Sequence, residues 1–457
     1  MIDKSIFREY DIRGIVPDQV NKLSVKVIAN AIAIKCHQEE IDTLALGRDG
    51  RLSGKNLLNY LSKELQLNGI NIVNVGMVTS PLLYFASKKL PSKSGVMITG
   101  SHNPKNYNGF KIVINDSPIS GIEILNFISQ EPINNKQLGR EIINNDLINE
   151  YIAEVTSQAT KNLKKMKVVV DCGNGSAGDI APKLIRKLGH DVVELFCEID
   201  GNFPNHHPDP GKEENLQDLV KTVKSESADI GIAFDGDGDR LGVVTDMGDI
   251  IYPDQLMMIF SKEVLKNYEG REIIFDVKCT NLLSEIITEA GGTPVMSPTG
   301  HFHIKNTLKE TNAPLAGEMS GHIFFNDQWY GFDDGHYSAF RLLEIMKESD
   351  SSLSSLFNEL PKAYSTPELN INVDEEKKFK IVKDFVNKAE FEGGSKITID
   401  GLRVNFDDGW GLLRASNTTP KLVLRFEAKT HSRLNEIQNM FLNQLKLIDE
   451  TIHIEIS

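Results

Sequence analysis

Three times along this chain a short apolar run breaks into a polar, glycine-bearing loop, and a second apolar run follows. The loops are Thr99-Gly100-Ser101-His102-Asn103-Pro104, Asp235-Gly236-Asp237-Gly238-Asp239-Arg240 and Gly317-Glu318-Met319-Ser320-Gly321-His322. The runs around them, 95–98 and 110–114, 230–234 and 241–245, 314–316 and 323–325, have the length and continuity of buried strands. Elsewhere the apolar spacing is helical, as at 22–38, 57–67 and 334–346, with further strands at 43–47, 71–75, 167–171 and 273–277. Strands alternating with helices give an α/β layer fold. Recurrence of the pattern points to three related units that have diverged in sequence. Ligands of open α/β sheets bind at strand ends, so the three loops are expected to face one central cleft.

The rest of the chain departs from this pattern. The stretch 361–367 (PKAYSTP) reads as a linker, and strand-like and helix-like runs mix beyond it. A polar helical stretch around 145–165 reads as a connector, and Asn108-Gly109 between apolar runs predicts a tight hairpin turn. A length of 457 residues accommodates several such units. The formal charge of −14 argues against general nucleic-acid binding, so a site for anions must gather its cations locally in a cleft. No apolar run approaches the roughly 20 residues of a membrane span. Cys36, Cys172, Cys197 and Cys279 contain no Cys-x-x-Cys pair, which argues against a zinc knuckle or disulfide framework and fits a reducing compartment. The opening residues lack the apolar stretch of a secretory signal. A cytoplasmic location is therefore expected.

Each loop carries chemistry. In the first, Gly100 frees the backbone and Pro104 stiffens the exit. A serine just past a strand end, with backbone N–H groups exposed around it, suits a nucleophile or phosphoryl carrier; the same residues also make an ordinary turn. In the second, Asp235, Asp237 and Asp239 alternate with glycines. Three carboxylates so close repel one another unless a cation sits among them, and hard oxygen ligands suit Mg²⁺ or Ca²⁺. An EF-hand loop wants glycine where Arg240 stands, and helices where strands are read here. A phosphorylated Ser101 would supply a further oxygen. In the third, Glu318 and Ser320 suit paired sugar hydroxyls. Near the C-terminus, Arg414, Ser416, Asn417, Thr418 and Thr419 form a compact anion site, with a guanidinium fork, hydroxyls and an amide.

One motif points elsewhere. Gly173, Gly175 and Gly178 match G-x-G-x-x-G after the strand 167–171, and Glu194 stands where a ribose-binding acid belongs. An NAD-dependent oxidoreductase is the reading this motif supports. It leaves Ser101, the aspartates and the Arg414 cluster unexplained.

The four motifs, in this order and spacing over essentially the whole chain, resemble the α-D-phosphohexomutase superfamily, and most of all its phosphomannomutase/phosphoglucomutase branch. The resemblance implies three related mixed α/β domains and a smaller C-terminal α+β domain of TATA-binding-protein-like fold around a central cleft. Placed on this chain, these are 1–147 with the phosphoserine loop, 148–251 with the metal loop, 252–363 with the sugar loop and 364–457 with the phosphate site. It implies a phosphoryl group on Ser101, and Mg²⁺ held by that phosphoserine with Asp235, Asp237 and Asp239. Glu318 and Ser320 would read sugar hydroxyls, with His322 in the same loop, and Arg414, Ser416, Asn417 and Thr418 would grip the substrate's phosphate. Tyr10, Arg13, Lys111, Arg240, Lys278 and His301 match positions lining the family's cleft, Lys111 and His301 being the general acid/base candidates.

The implied reaction interconverts hexose 1-phosphate and hexose 6-phosphate through a 1,6-bisphosphate, with glucose 1,6-bisphosphate as activator. Mannose and glucose are both admitted. Phosphoglucosamine mutases usually have Gln at the position of Met319, which counts against an amino sugar. A metal-dependent serine phosphatase shares the nucleophile and cation, but the distal phosphate site and sugar loop favour the mutase. The C-terminal domain is expected to swing and close the cleft.

Overall fold

A computed structural model describes residues 2–131, 137–160, 164–417, 419–450 and 452. Three sheets share one topology. In the first unit the strands Thr43–Arg48, Asn71–Met77 and Gly95–Ile98 are parallel, and Tyr107–Ile114 runs antiparallel beside the third. In the second unit Lys167–Asp171, Asp191–Leu195, Ile230–Phe234 and Leu241–Thr245 repeat the arrangement. Glu272–Asp276, Thr293–Ser297, Leu315–Gly317 and Ile323–Phe325 repeat it again. Each sheet runs in the order second, first, third, fourth, so the internal repeat is present as topology. The three polar loops occupy one place in it, between the third strand and its antiparallel return. The closing pairs are Ile98 with Phe110, Phe234 with Leu241 and Gly317 with Ile323.

The core strands are buried on both faces because helices cover both. One continuous apolar core runs through all three units, joining Leu82 and Phe85 to Val170 and Phe234 and to Phe325 and Tyr337. The stretch read as a connector is part of it. Its helix Leu147–Ser157 buries Leu147, Tyr151, Ile152 and Val155 and so packs the units together.

The fourth unit has its own core. Strand Lys421–Ala428 pairs antiparallel with Gly409–Ala415, which continues through Leu402–Phe406 to Ser395–Ile397. Helices Lys378–Lys388 and His431–Ile448 bury Phe385 and Phe441 against this sheet. Alternation along Gly409–Ala415 sends Leu413 and Ala415 into that core and Trp410 and Leu412 to the opposite face, against Val277 of the third unit. Arg414 shares that second face. Within the segment read as a linker, Tyr364–Ser365 is a short strand paired with Lys421–Ala428.

Asn108-Gly109 is not a turn. Both residues lie inside Tyr107–Ile114, with Gly109 opposite Arg13 of the strand Ile12–Ile15. A Cβ at Gly109 would come 1.9 Å from the Ile12 carbonyl oxygen, so glycine here serves strand contact. No helix among the described residues is long and apolar enough to cross a membrane.

Candidate active site

The three loops converge. Ser101 is buried and left-handed, φ 47°, a conformation that costs a side-chain-bearing residue ~1–2 kcal/mol. Its hydroxyl donates to Asp235 Oδ2 at 3.1 Å and lies 3.1 Å from His102 Nδ1. Asp235 Oδ1 accepts the backbone N–H groups of Asp239 and Arg240, each at 3.1 Å. Asp237 Oδ2 accepts from Ser80 Oγ at 2.6 Å and Lys111 Nζ at 2.7 Å, and lies 3.1 Å from Thr99 Oγ1. Asp239 takes a second bond from Lys111 and lies 3.2 Å from His322 Nε2. Gly236 must be glycine, because a Cβ there would stand 2.5 Å from the Ser101 carbonyl oxygen.

The three carboxylates are fully buried, and each offers an oxygen within 4.8 Å of the others. Asp237 Oδ1 has no hydrogen-bond partner. A buried carboxylate oxygen left this way is costly, and a hard divalent cation satisfies it. The donor set fits Mg²⁺. Burial, then the neighbouring Asp239 and Asp237, push the Asp235 carboxyl well above its usual range. Burial alone would lower the Lys111 pKa, but Asp237 and Asp239 outweigh it and hold the ammonium well above its ordinary value.

The loop Gly317–His322 touches the aspartate loop through His322, which stands opposite Arg240 in an antiparallel bridge. Glu318 Oε1 accepts the Gly300 N–H at 2.6 Å, and its other oxygen lies 3.0 Å from His322 Nδ1. Ser320 Oγ is 2.8 Å from the same nitrogen. Burial opposes charge on His322, but Asp239 and Glu318 prevail and raise it to about 9. The His301 ring lies 5.8 Å from that of His322. Burial, reinforced by Lys305 and Lys111, pushes His301 well below its ordinary range, so it is neutral.

Other side chains singled out in the sequence arrive with acidic or polar partners. Arg13 pairs with Asp11. Arg240 Nη1 lies 3.5 Å from Asp209 Oδ1. Lys278 Nζ meets Glu368 Oε2 at 3.0 Å, and Arg414 Nε meets Asp400 Oδ2 at 2.9 Å. Ser416 Oγ accepts the Thr419 N–H at 3.1 Å and lies 2.8 Å from the Thr419 hydroxyl. Asn417 donates to the Tyr10 hydroxyl, which donates to the Thr299 carbonyl at 2.7 Å. Thr418 lies outside the described residues. Sequence reasoning passed over Asp49, Arg51, Ser80, Glu368 and Asp400. A signal existed for the first two, since Asp49-Gly50-Arg51 sets an acid and a guanidinium two residues apart in a turn at a strand end.

Of the glycines in the G-x-G-x-x-G stretch, Gly175 backs the aspartate loop. A Cβ at Gly175 would stand 2.8 Å from the Gly236 carbonyl oxygen, and one at Gly178 would stand 2.0 Å from that of Cys197. The Ser176 N–H donates to the Gly236 carbonyl at 3.1 Å. Glu194 pairs with Arg186 at 2.6 Å, both well exposed. Gly175 is explained by backbone packing behind the aspartates, Gly178 by close approach to Cys197 and Gly173 by its left-handed backbone, φ 49°, beside His206 and Pro208, and the dinucleotide reading loses its support.

Family models match the chain in four consecutive pieces: phosphoglucomutase/phosphomannomutase α/β/α domain I at 4–130, domain II at 149–248, domain III at 252–364 and the C-terminal domain at 368–444. The chain belongs to the phosphoglucomutase/phosphomannomutase family. Among its relatives, the phosphomannomutase/phosphoglucomutase of Pseudomonas aeruginosa is 50% identical over 449 residues, covering 98% of this chain and 97% of that one. A phosphoglucomutase of Neisseria gonorrhoeae is 49% identical over 445 residues, 96% of each. The crystal structure of a phosphoglucomutase/phosphomannomutase family protein from Burkholderia thailandensis matches with a TM-score of 0.92 at 44% identity, over 99% of both chains. The fold is the family's, with three related α/β domains and a smaller C-terminal α+β domain.

Proposed function

We infer that this protein is a phosphohexomutase, an isomerase that interconverts hexose 1-phosphates and hexose 6-phosphates of mannose and glucose. It works through phosphoserine at Ser101 and a hexose 1,6-bisphosphate. The observation that carries this is the contact of the Ser101 hydroxyl with a buried carboxylate triad, where the triad's loop meets the sugar loop.

Ser101 carries the phosphoryl group. Asp235, Asp237 and Asp239 would hold Mg²⁺ together with it, an ion that offsets negative charge on a transferring phosphoryl group. Lys111, Arg240 and Arg13 add positive charge around the same point. Arg414, Ser416, Asn417 and Thr418, with Lys278, grip the phosphate that is not transferred, while Glu318, Ser320 and His322 orient the sugar. Lys111 and His301 are the acid/base pair: one takes the proton of the attacking sugar hydroxyl and the other gives a proton to the leaving oxygen. The bisphosphate then turns over in the cleft and returns its other phosphoryl group to Ser101. Glucose 1,6-bisphosphate activates by rephosphorylating any enzyme whose Ser101 has lost its group.

The test is an Mg²⁺-dependent assay on glucose 1-phosphate and mannose 1-phosphate, with and without trace glucose 1,6-bisphosphate, beside the Ser101→Ala variant. Hexose 6-phosphates are expected from both sugars, stimulated by the bisphosphate and lost by more than about 100-fold in the variant. Release of inorganic phosphate as the main product would make the protein a phosphatase, and turnover of glucosamine phosphates alone would move it to the amino-sugar branch.

A further inference from the structure

We propose that Arg51 is a positioning residue for phosphoryl transfer: its guanidinium gathers the backbone carbonyls of the Ser101 loop and holds the serine in its left-handed conformation. The proposal rests on the phosphoserine reading above.

Arg51 is among the largest fully buried side chains in the molecule. Nη2 donates to the carbonyls of Ser101 at 2.8 Å and Asn103 at 2.5 Å, and Nη1 to those of Pro104 at 2.6 Å and Tyr107 at 3.0 Å. Nε lies 3.2 Å from Asp49 Oδ2. That carboxylate oxygen accepts Thr99 Oγ1 at 2.8 Å and the Gly100 N–H at 3.2 Å. Thr99 Oγ1 accepts the Ser101 N–H at 2.7 Å and lies 3.1 Å from Asp237 Oδ2. The peptide units on both sides of Ser101 are therefore tied to one ion pair, and through Thr99 to a carboxylate of the triad. Phe203 of the second unit lies over the guanidinium, 5.2 Å from ring centre to Cζ.

Geometry rules out simple substitutes. A planar fork reaches four carbonyls at once, while a lysine ammonium has three donors and no plane. Gly100 is part of the same device: a Cβ there would stand 2.5 Å from Arg51 Cζ and Nε. The left-handed state of Ser101 is unfavourable by itself and persists because its surroundings over-determine it. Loosening the loop leaves the charges of the site in place but misaligns the Ser101 oxygen, and a shift of ~1 Å there costs on the order of 100-fold in rate.

The experiment compares wild type, Arg51→Lys, Gly100→Ala, the double variant and Ser101→Ala. Each is incubated with ³²P-labelled glucose 1,6-bisphosphate and then assayed on glucose 1-phosphate, with melting temperatures measured alongside. Labelling of wild type and none of Ser101→Ala isolates the phosphoserine reading; no label on wild type overturns that reading, whatever Arg51 does. With wild type labelled, Arg51→Lys is expected to lower kcat by about 100-fold while KM changes less than about threefold. Its phosphoserine is expected to lose label to water faster than wild type. Gly100→Ala is expected to do the same with Arg51 present, and to add little in the Arg51→Lys background, because both act on one contact. A kcat within about threefold of wild type in folded Arg51→Lys, or a fall in melting temperature with kcat unchanged, overturns the proposal. If Arg51→Lys does not fold, Gly100→Ala alone decides by the same criteria.

Discussion

Lys111 is hydrogen-bonded to two carboxylates of the triad at once, and both are fully buried. Lys111→Met would leave Asp237 and Asp239 without that counter-ion, and removing one partner of a buried pair typically costs about 3–5 kcal/mol. The chelator-treated variant should therefore melt well below chelator-treated wild type, and saturating Mg²⁺ should raise its melting temperature by more than it raises that of wild type. Equal melting temperatures in chelator would mean that Lys111 does not balance the triad. The charged and hydroxylic residues themselves were legible in the sequence, because Ser101, the three aspartates and Arg414 each sit in a short motif whose chemistry is local. Their partners were not. Glu368 meets Lys278, and Asp400 meets Arg414, across strand connections that no local pattern encodes.

At the scale of an element, glycine carried two meanings that composition alone does not separate. Asn-Gly is a strong hairpin signal, yet Gly109 sits mid-strand because a neighbouring strand passes 1.9 Å from where its Cβ would be. The G-x-G-x-x-G stretch is equally double-edged. Its strand-to-loop geometry is real, but Gly175 faces the carbonyl of Gly236 and not a pyrophosphate. Gly175→Ala must push the loop between Asp235 and Asp237. It should weaken the stabilisation by Mg²⁺ and lower mutase kcat about tenfold, while titration with NAD(H) leaves intrinsic fluorescence unchanged in variant and wild type alike. An unaltered response to Mg²⁺ would refute the coupling, and saturable NAD(H) binding would revive the dinucleotide reading. The repeat was legible for a sturdier reason: each unit spells strand, polar loop and returning strand, and that order is what places the loops at one position in all three sheets.

Across the whole molecule, two kinds of contact hold the fourth unit in place. Toward the third unit the seam is buried, with Trp410 and Leu412 packed on Val277 and polar contacts around them. Arg403 donates to the carbonyls of Val277 at 2.5 Å and Cys279 at 2.7 Å, its Cζ lies 3.8 Å from the centre of the Trp410 ring, and Arg425 lies 3.1 Å from Asp254. Toward the first unit, Asn417 reaches the Tyr10 hydroxyl, which in turn holds Thr299. An opening motion consistent with separate cores would pivot on the first contact and break the second, since parting the seam would break the bonds of Arg403 to two carbonyls and the Arg425–Asp254 pair and would expose Trp410 and Leu412. The change of pattern beyond 361–367 was legible in the sequence, but this asymmetry was not, because Arg403 and Arg425 lie in ordinary strand patterns. Tyr10→Phe keeps the ring and removes the hydroxyl that joins three units. The loss of hydrogen bonds worth ~0.5–1.5 kcal/mol each predicts a rise in KM for hexose 1-phosphate of about 3- to 10-fold. Faster loss of phosphate from phosphoserine should accompany it, as the cleft admits water more often. Solution scattering with glucose 1,6-bisphosphate should show wild type more compact than the variant. A variant with wild-type KM, hydrolysis and dimensions would show that closure does not run through Tyr10, leaving the seam at Arg403 and Arg425 to govern the position of the fourth unit.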